Sequence, residues 1–132
     1  MNSTSSMGAG LRTLSVVAMA LVSLAAYASL AVFSKDEQPL RKAVEDAAMC
    51  FHFAGEFNGD GSARDKEVTR MQRKVCKKDG QRLVMQAYRK NPNDARLYPA
   101  VLMLDGLTSA PPLSEPEKAR LCAVARTELV CN

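Results

Sequence analysis

Apart from Arg12, every Lys, Arg, Asp and Glu of this 132-residue chain lies at or beyond Lys35, so residues 13–34 form an uncharged, mostly apolar run set apart from the rest. A short polar start carrying Arg12, an apolar stretch over residues 14–24 and two small-x-small sites, Ala26-Tyr27-Ala28 and Ser29-Leu30-Ala31, have the layout of a secretory signal peptide. The competing reading is an uncleaved anchor, since about 20 apolar residues can span a bilayer. Both readings export the remainder, with Arg12 held inside. No Cys lies near the predicted cut, which argues against lipidation. The chain is therefore read as residues 1–31, signal peptide or anchor, followed by an exported domain, residues 32–132, periplasmic or secreted. Any attachment to a membrane would run through the N-terminal segment.

A domain of about 100 residues buries a modest core and gains from covalent help. With 47% hydrophobic and 24% charged residues the chain has the balance of a globular protein, not of a disordered tail. All four cysteines, Cys50, Cys76, Cys122 and Cys131, fall in the exported part. In an oxidising compartment they read as two disulfides, with three connectivities open. Zinc fits poorly, because there is no Cys-x-x-Cys pair and the chain has one His, His52.

Apolar residues recur at helical spacing from Leu40 through Ala43, Val44, Ala47 and Phe51 to Ala54, predicting a helix over residues 39–54 with Gly55 just past its end. Two turn dipeptides, Asn58-Gly59 and Asp60-Gly61, make a loop. A second helix is expected over residues 63–78, broken by Asp79-Gly80 before Leu83, Val84, Ala87 and Tyr88 resume the pattern. A fourth covers residues 94–104, with Pro99 kinking it or marking its true start. Ser114 and Glu117 form a candidate capping box for a last helix reaching about Leu129. No segment alternates like a strand, so the domain is expected to be all-α, a small bundle of four to five helices with two disulfides.

Three constellations could carry function. Residues 56–67 look like an EF-hand calcium loop, with Glu56, Asn58 and Asp60 at positions 1, 3 and 5, a glycine at 6 and Glu67 at 12. Glu56 in place of Asp, Ala63 at position 8, the cationic Arg64 at position 9 and the lack of a second loop are departures. A glycine-rich turn before an acidic helix start accounts for the same residues, and no cofactor is expected. Arg70, Arg73, Lys74, Lys77 and Lys78 recur at i, i+3, i+4, i+7 and i+8, predicting one basic face on the second helix. Residues 64–90 carry ten Lys and Arg against three Asp and Glu, while the rest of the exported part is net acidic. No aromatics interleave with these cations, and an exported protein meets no duplex, so nucleic acid is not the expected partner. An acidic protein groove or an anionic envelope component fits better. His52 and Glu56, four residues apart, are expected to bond to the turn that follows. With no nucleophile at a meaningful spacing and no phosphate loop, an enzyme is not expected.

The run Cys50-Phe51-His52-Phe53-Ala54-Gly55-Glu56, followed by Arg64, Glu67-Val68, Cys76, Tyr88 and Pro92, resembles small exported bacterial proteins of uncharacterised function that carry a Cys-x-His-x-x-Gly-Glu motif. The likeness covers about 45 residues. It implies a Cys50–Cys76 disulfide, leaving Cys122 to Cys131. The stretch between Glu56 and Arg64 varies in those proteins and lacks the Asn-Gly-Asp-Gly run. A second similarity is to periplasmic immunity proteins of type VI secretion amidase effectors, whose Cys-x-x-aromatic-x-x-Gly entry is met at Cys50 and Phe53 but with Gly55 one position early. It implies an architecture suited to a stoichiometric inhibitor. Two functions are thus expected: a non-enzymatic exported module that binds another protein or an envelope component, or a calcium-binding protein using residues 56–67.

Overall fold

A computed structural model describes residues 32–127, 130 and 131, which belong to one compact unit beginning at Val32. The expected signal peptide or anchor lies outside the described residues. The described residues form five α-helices, α1 (Gln38–Glu56), α2 (Ala63–Val75), α3 (Lys78–Lys90), α4 (Tyr98–Leu104) and α5 (Glu115–Ala125), with single 3-10 turns at Lys35–Glu37 and Ala95–Leu97. Among them there is no strand and no helix long and apolar enough to cross a membrane. The domain is all-α, closed by the disulfides Cys50–Cys76 and Cys122–Cys131, the pairing that the resemblance implies.

The shortest helix is the centre of the core. Tyr98, Ala100, Val101, Leu102 and Leu104 of α4 are all buried, as a helix apolar on nearly every side must be. Pro99 marks its true start, since proline fits the first turn, where no amide needs an intrahelical acceptor. Around α4 pack α1, α3 and α5, while α2 lies against α1. Of the apolar positions expected to face inward on α1, Ala43 and Ala47 are buried and Leu40, Val44, Phe51 and Ala54 half-buried, while Cys50 and Phe53 complete the buried stripe, and the helix runs through Gly55 to Glu56. Gly55 does not take the positive φ of a helix-ending glycine, so the amide ladder continues through it.

The expected break at Asp79-Gly80 is displaced. The chain leaves helical geometry at Cys76 and Lys77, and Asp79 and Gly80 sit inside the first turn of α3. Two physical reasons favour this place. An acidic Asp79 suits a helix start, where it faces the positive end of the dipole, and Cys76 is tied sideways to Cys50 across a Cα–Cα distance of 5.0 Å. Gly80 faces Ala43 of α1, and a Cβ built there would meet the Ala43 Cβ at 3.7 Å, an ordinary van der Waals separation. Gly80→Ala is therefore expected to stabilise the domain by about 0.5–1 kcal/mol, by removing backbone freedom from the unfolded chain without a clash. A lowered thermal midpoint would show that α1 and α3 are closer than this geometry.

The last helix is shorter than its sequence pattern. It ends at Ala125, where Arg126 takes a left-handed conformation (φ 49°) and its amide still bonds to the Cys122 carbonyl. Beyond it the Val130 and Cys131 amides bond to the Thr127 carbonyl and Cys131 is bridged to Cys122, so the helix expected to reach about Leu129 stops short at Ala125. At its start only half of the capping box forms. The Ser114 hydroxyl accepts from the Glu117 amide, while the Glu117 carboxylate accepts instead from the buried Tyr88 hydroxyl on α3. Arg120 donates to both Tyr88 and Tyr98, tying α5 to α3 and α4. Burial first, then Glu117, push the Tyr88 phenol up to about 12.

Arg96 fastens the start of the domain. Its guanidinium donates to both Glu37 oxygens, to both Asp94 oxygens and to the Val32 carbonyl, all within 2.7–2.9 Å, and lies 4.7 Å from the centre of the Phe33 ring. Hydrogen bonds from Arg96, then from the Ser34 amide, hold the Glu37 carboxyl at about 2. A carboxyl whose pKa is lower folded than unfolded stabilises the fold above its ordinary pKa, and that contribution disappears as pH falls toward the folded value. Glu37→Gln should therefore lower the urea midpoint at neutral pH, and the two proteins should converge near pH 2. A gap that stays constant across that range would assign the loss to shape and not to charge.

Candidate functional site

The loop between α1 and α2 gathers most of the singled-out residues, but with its polarity reversed from a cation site. The buried Asp65 carboxylate accepts from the amides of Asn58 (3.1 Å), Gly59 (3.2 Å) and Gly61 (3.3 Å). Gly59 and Gly61 take positive φ of 72° and 70°, which turns the loop amides inward as in an anion-binding nest. With donors pointing in, the oxygens point out. Asp60 caps the Ser62 amide, and this hydrogen bonding, the Ser62 hydroxyl first, lowers its pKa. Glu56 and Glu67, the two ends of the expected calcium loop, are bridged by the Arg64 guanidinium, whose charged form their hydrogen bonds favour, Glu56 foremost. Of the four expected ligands, Glu56 and Glu67 pair with Arg64, Asp60 accepts from the Ser62 amide, and Asn58 gives its main-chain amide to Asp65. Among the described residues no group of three His, Cys, Asp or Glu side chains could hold a metal ion. Arg64, at position 9, pairs with the glutamates at both ends of the loop, and Asp65, at position 10, accepts from its amides.

His52 Nε2 lies 2.9 Å from Glu56 Oε1, extending the series to His52, Glu56, Arg64 and Glu67 along the junction of α1 and α2. It is a positional device. Glu56 holds the N-terminal end of α2 through Arg64, Cys50 holds its C-terminal end through Cys76, and Gln72 donates to the Phe53 carbonyl between them. Cys50 and Glu56 of the motif thus fix α2 along α1, while His52 pairs with Glu56 within α1 and not with the turn that follows.

The expected basic face is divided. Arg70, Arg73 and Lys74 lie on α2, Lys77 is the joint, and Lys78 opens α3, so the five do not share one side of a single helix. The break at Cys76, which the sequence pattern placed at Asp79-Gly80, is the cause. All five side chains are exposed, and among the described residues none of them forms an ion pair. On α1, by contrast, Arg41 and Lys42 pair with Glu45 and Asp46.

Lys78 belongs instead to a groove of about 360 Å³ between α3 and the segment after α4. On the α3 side stand Lys78, Arg82 and Arg89, and on the other Thr108, Ser109 and Ala110. Arg82 lies 3.5 Å from Asp79 in a pair exposed on both sides, a link that a competing carboxylate can displace. Sequence reading counted Arg82 and Arg89 in the basic stretch without placing them together. Once α3 starts at Lys78, their positions four and eleven residues on put them on one face, but the hydroxyl wall comes from residues about 20 positions further along. Compared with family models, with curated proteins and with solved structures, the chain matches none.

Proposed function

We propose that this chain is an exported, non-enzymatic helical protein of the periplasm or extracellular space that binds another protein or an anionic envelope component through Arg70, Arg73, Lys74, Lys77 and Lys78, in the manner of an inhibitor or immunity factor. The observation that carries this reading is the set of exposed cations around the α2–α3 joint, unpaired among the described residues. Like charges so close repel one another and lower stability, a cost that an anionic partner offsets. The disulfide Cys50–Cys76 lies directly beneath this joint and holds it rigid, which suits a surface that binds without changing shape. Two disulfides in a domain of this size fit an oxidising compartment.

The test is capture from an envelope extract by the wild-type chain and by the triple variant Arg73→Glu, Lys74→Glu, Lys77→Glu. The wild type should retain a defined partner that raised salt releases, and the variant should not. Equal retention by both, or none by either, would sink the reading.

A further inference from the structure

The groove beside α3 carries a more specific reading. Lys78, Arg82 and Arg89 bring three positive charges to it, and none of its lining residues is acidic. These cations span eleven residues of α3, about 16 Å at the rise of a helix, which is the length of roughly five residues of extended chain. Between and opposite them stand Gln81, Gln86, Thr108 and Ser109. Their amides and hydroxyls can each donate and accept, which matches the alternating N–H and C=O groups of a peptide main chain. A phosphate surface offers only acceptors. The groove is half-open and holds about 360 Å³, within the range of ligand sites, and its two walls, α3 and Thr108 to Ala110, suit a single chain laid between them.

We infer that this groove is a docking site for an extended acidic segment of another protein, about five residues long and carrying two or three carboxylates that pair with Lys78, Arg82 and Arg89. The inference rests on the partner-binding reading above and extends it: the partner is a protein, and beyond the cations at the α2–α3 joint it places an acidic segment of that partner in the groove on α3. Lys78 is common to both surfaces, so Arg82 and Arg89 are the residues that separate them.

The probe is a fluorescein-labelled hexaglutamate peptide, with hexaglutamine as its neutral counterpart, followed by fluorescence anisotropy against the full chain. Hexaglutamate should bind and hexaglutamine should not, with affinity falling as salt rises. The double variant Arg82→Glu, Arg89→Glu should weaken hexaglutamate at least tenfold. Lys66→Glu, an exposed site on α2 outside the groove, and the α2 pair Arg73→Glu, Lys74→Glu should each change it less than threefold. Circular dichroism melts of each variant separate loss of binding from loss of fold. Weakening by the α2 pair as large as by the groove pair would overturn the groove while leaving the basic surface in place. Binding to vesicles rich in anionic lipid without binding to hexaglutamate would overturn it in favour of a membrane surface. Self-association relieved by Arg82→Glu, Arg89→Glu would overturn it in favour of a second copy of this chain. Wild-type capture of an envelope partner that Arg82→Glu, Arg89→Glu leaves intact would also overturn the inference without touching the broader reading.

Discussion

Replacing Cys50 and Cys76 together by Ala is expected to lower the stability of the domain by about 3.5 kcal/mol and its thermal midpoint by roughly 15–25 °C. The bridge spans 26 residues, so breaking it returns to the unfolded chain the freedom of a loop that includes all of α2 and both of its connections. The native state loses more than a covalent link. Helix α2 buries only Asp65 and Val68 and rests on α1, so with the bridge gone its hold is reduced to Val68, the half-buried Met71 and Val75, the Asp65 bonds to the loop, the Arg64–Glu56 pair and the Gln72 bond. Amide exchange in the double variant should accordingly rise first along α2, while the buried amides of α4 keep their protection until global unfolding. The same experiment on Cys122 and Cys131, nine residues apart, should cost less, about 2.5 kcal/mol. Equal losses from the two bridges, or a Cys50/Cys76 variant melting within a few degrees of the wild type, would contradict the view of α2 as the element fastened from outside.

Asp65→Ala is expected to cost about 2–3 kcal/mol, because it leaves three amides of a tight loop without their charged acceptor. Asp65 is 6% exposed, and its two oxygens together hold Asn58, Gly59 and Gly61. Asp65→Asn keeps the shape and one accepting oxygen and should lose about half as much. Asp60→Ala removes an exposed cap and should fall within about 0.5–1 kcal/mol of the wild type. Chemical denaturation ranks the three, and limited proteolysis shows where the damage lies. Cleavage in the Asp65→Ala protein should concentrate in residues 58–62. If Asp60→Ala proved as damaging as Asp65→Ala, the loop would be organised around its outward oxygens, as in a cation site, and not around its inward amides.

The residues of this loop show where sequence reading succeeds and where it stops. The glycine and acidic positions of residues 56–67 were legible, and they do define a tight, hydrogen-bonded loop. Whether oxygens or amides face inward depends on the signs of φ at Gly59 and Gly61 and on Asp65 reaching back seven and four residues, neither of which spacing alone determines. The calcium pattern and the anion nest share a residue pattern and differ in which groups turn toward the centre. The candidate contact surface divides in the same way. Five cations with a helical period were legible, but the period assumed one continuous helix where the chain breaks at Cys76 and Lys77.

By itself the sequence determined the helical class, the burial of Ala43 and Ala47 on α1, the capping of α5 by Ser114, and the concentration of positive charge in residues 64–90, because each is written in local spacing. Only the tertiary structure decided where α2 gives way to α3, which way the loop amides point, and that Lys78, Arg82 and Arg89 face the hydroxyls of Thr108 and Ser109. The reason is physical: periodicity reports which side of a helix is apolar, whereas the seating of α3 beside the segment after α4 is set by the packing of both around the buried face of Val101, Leu102 and Leu104.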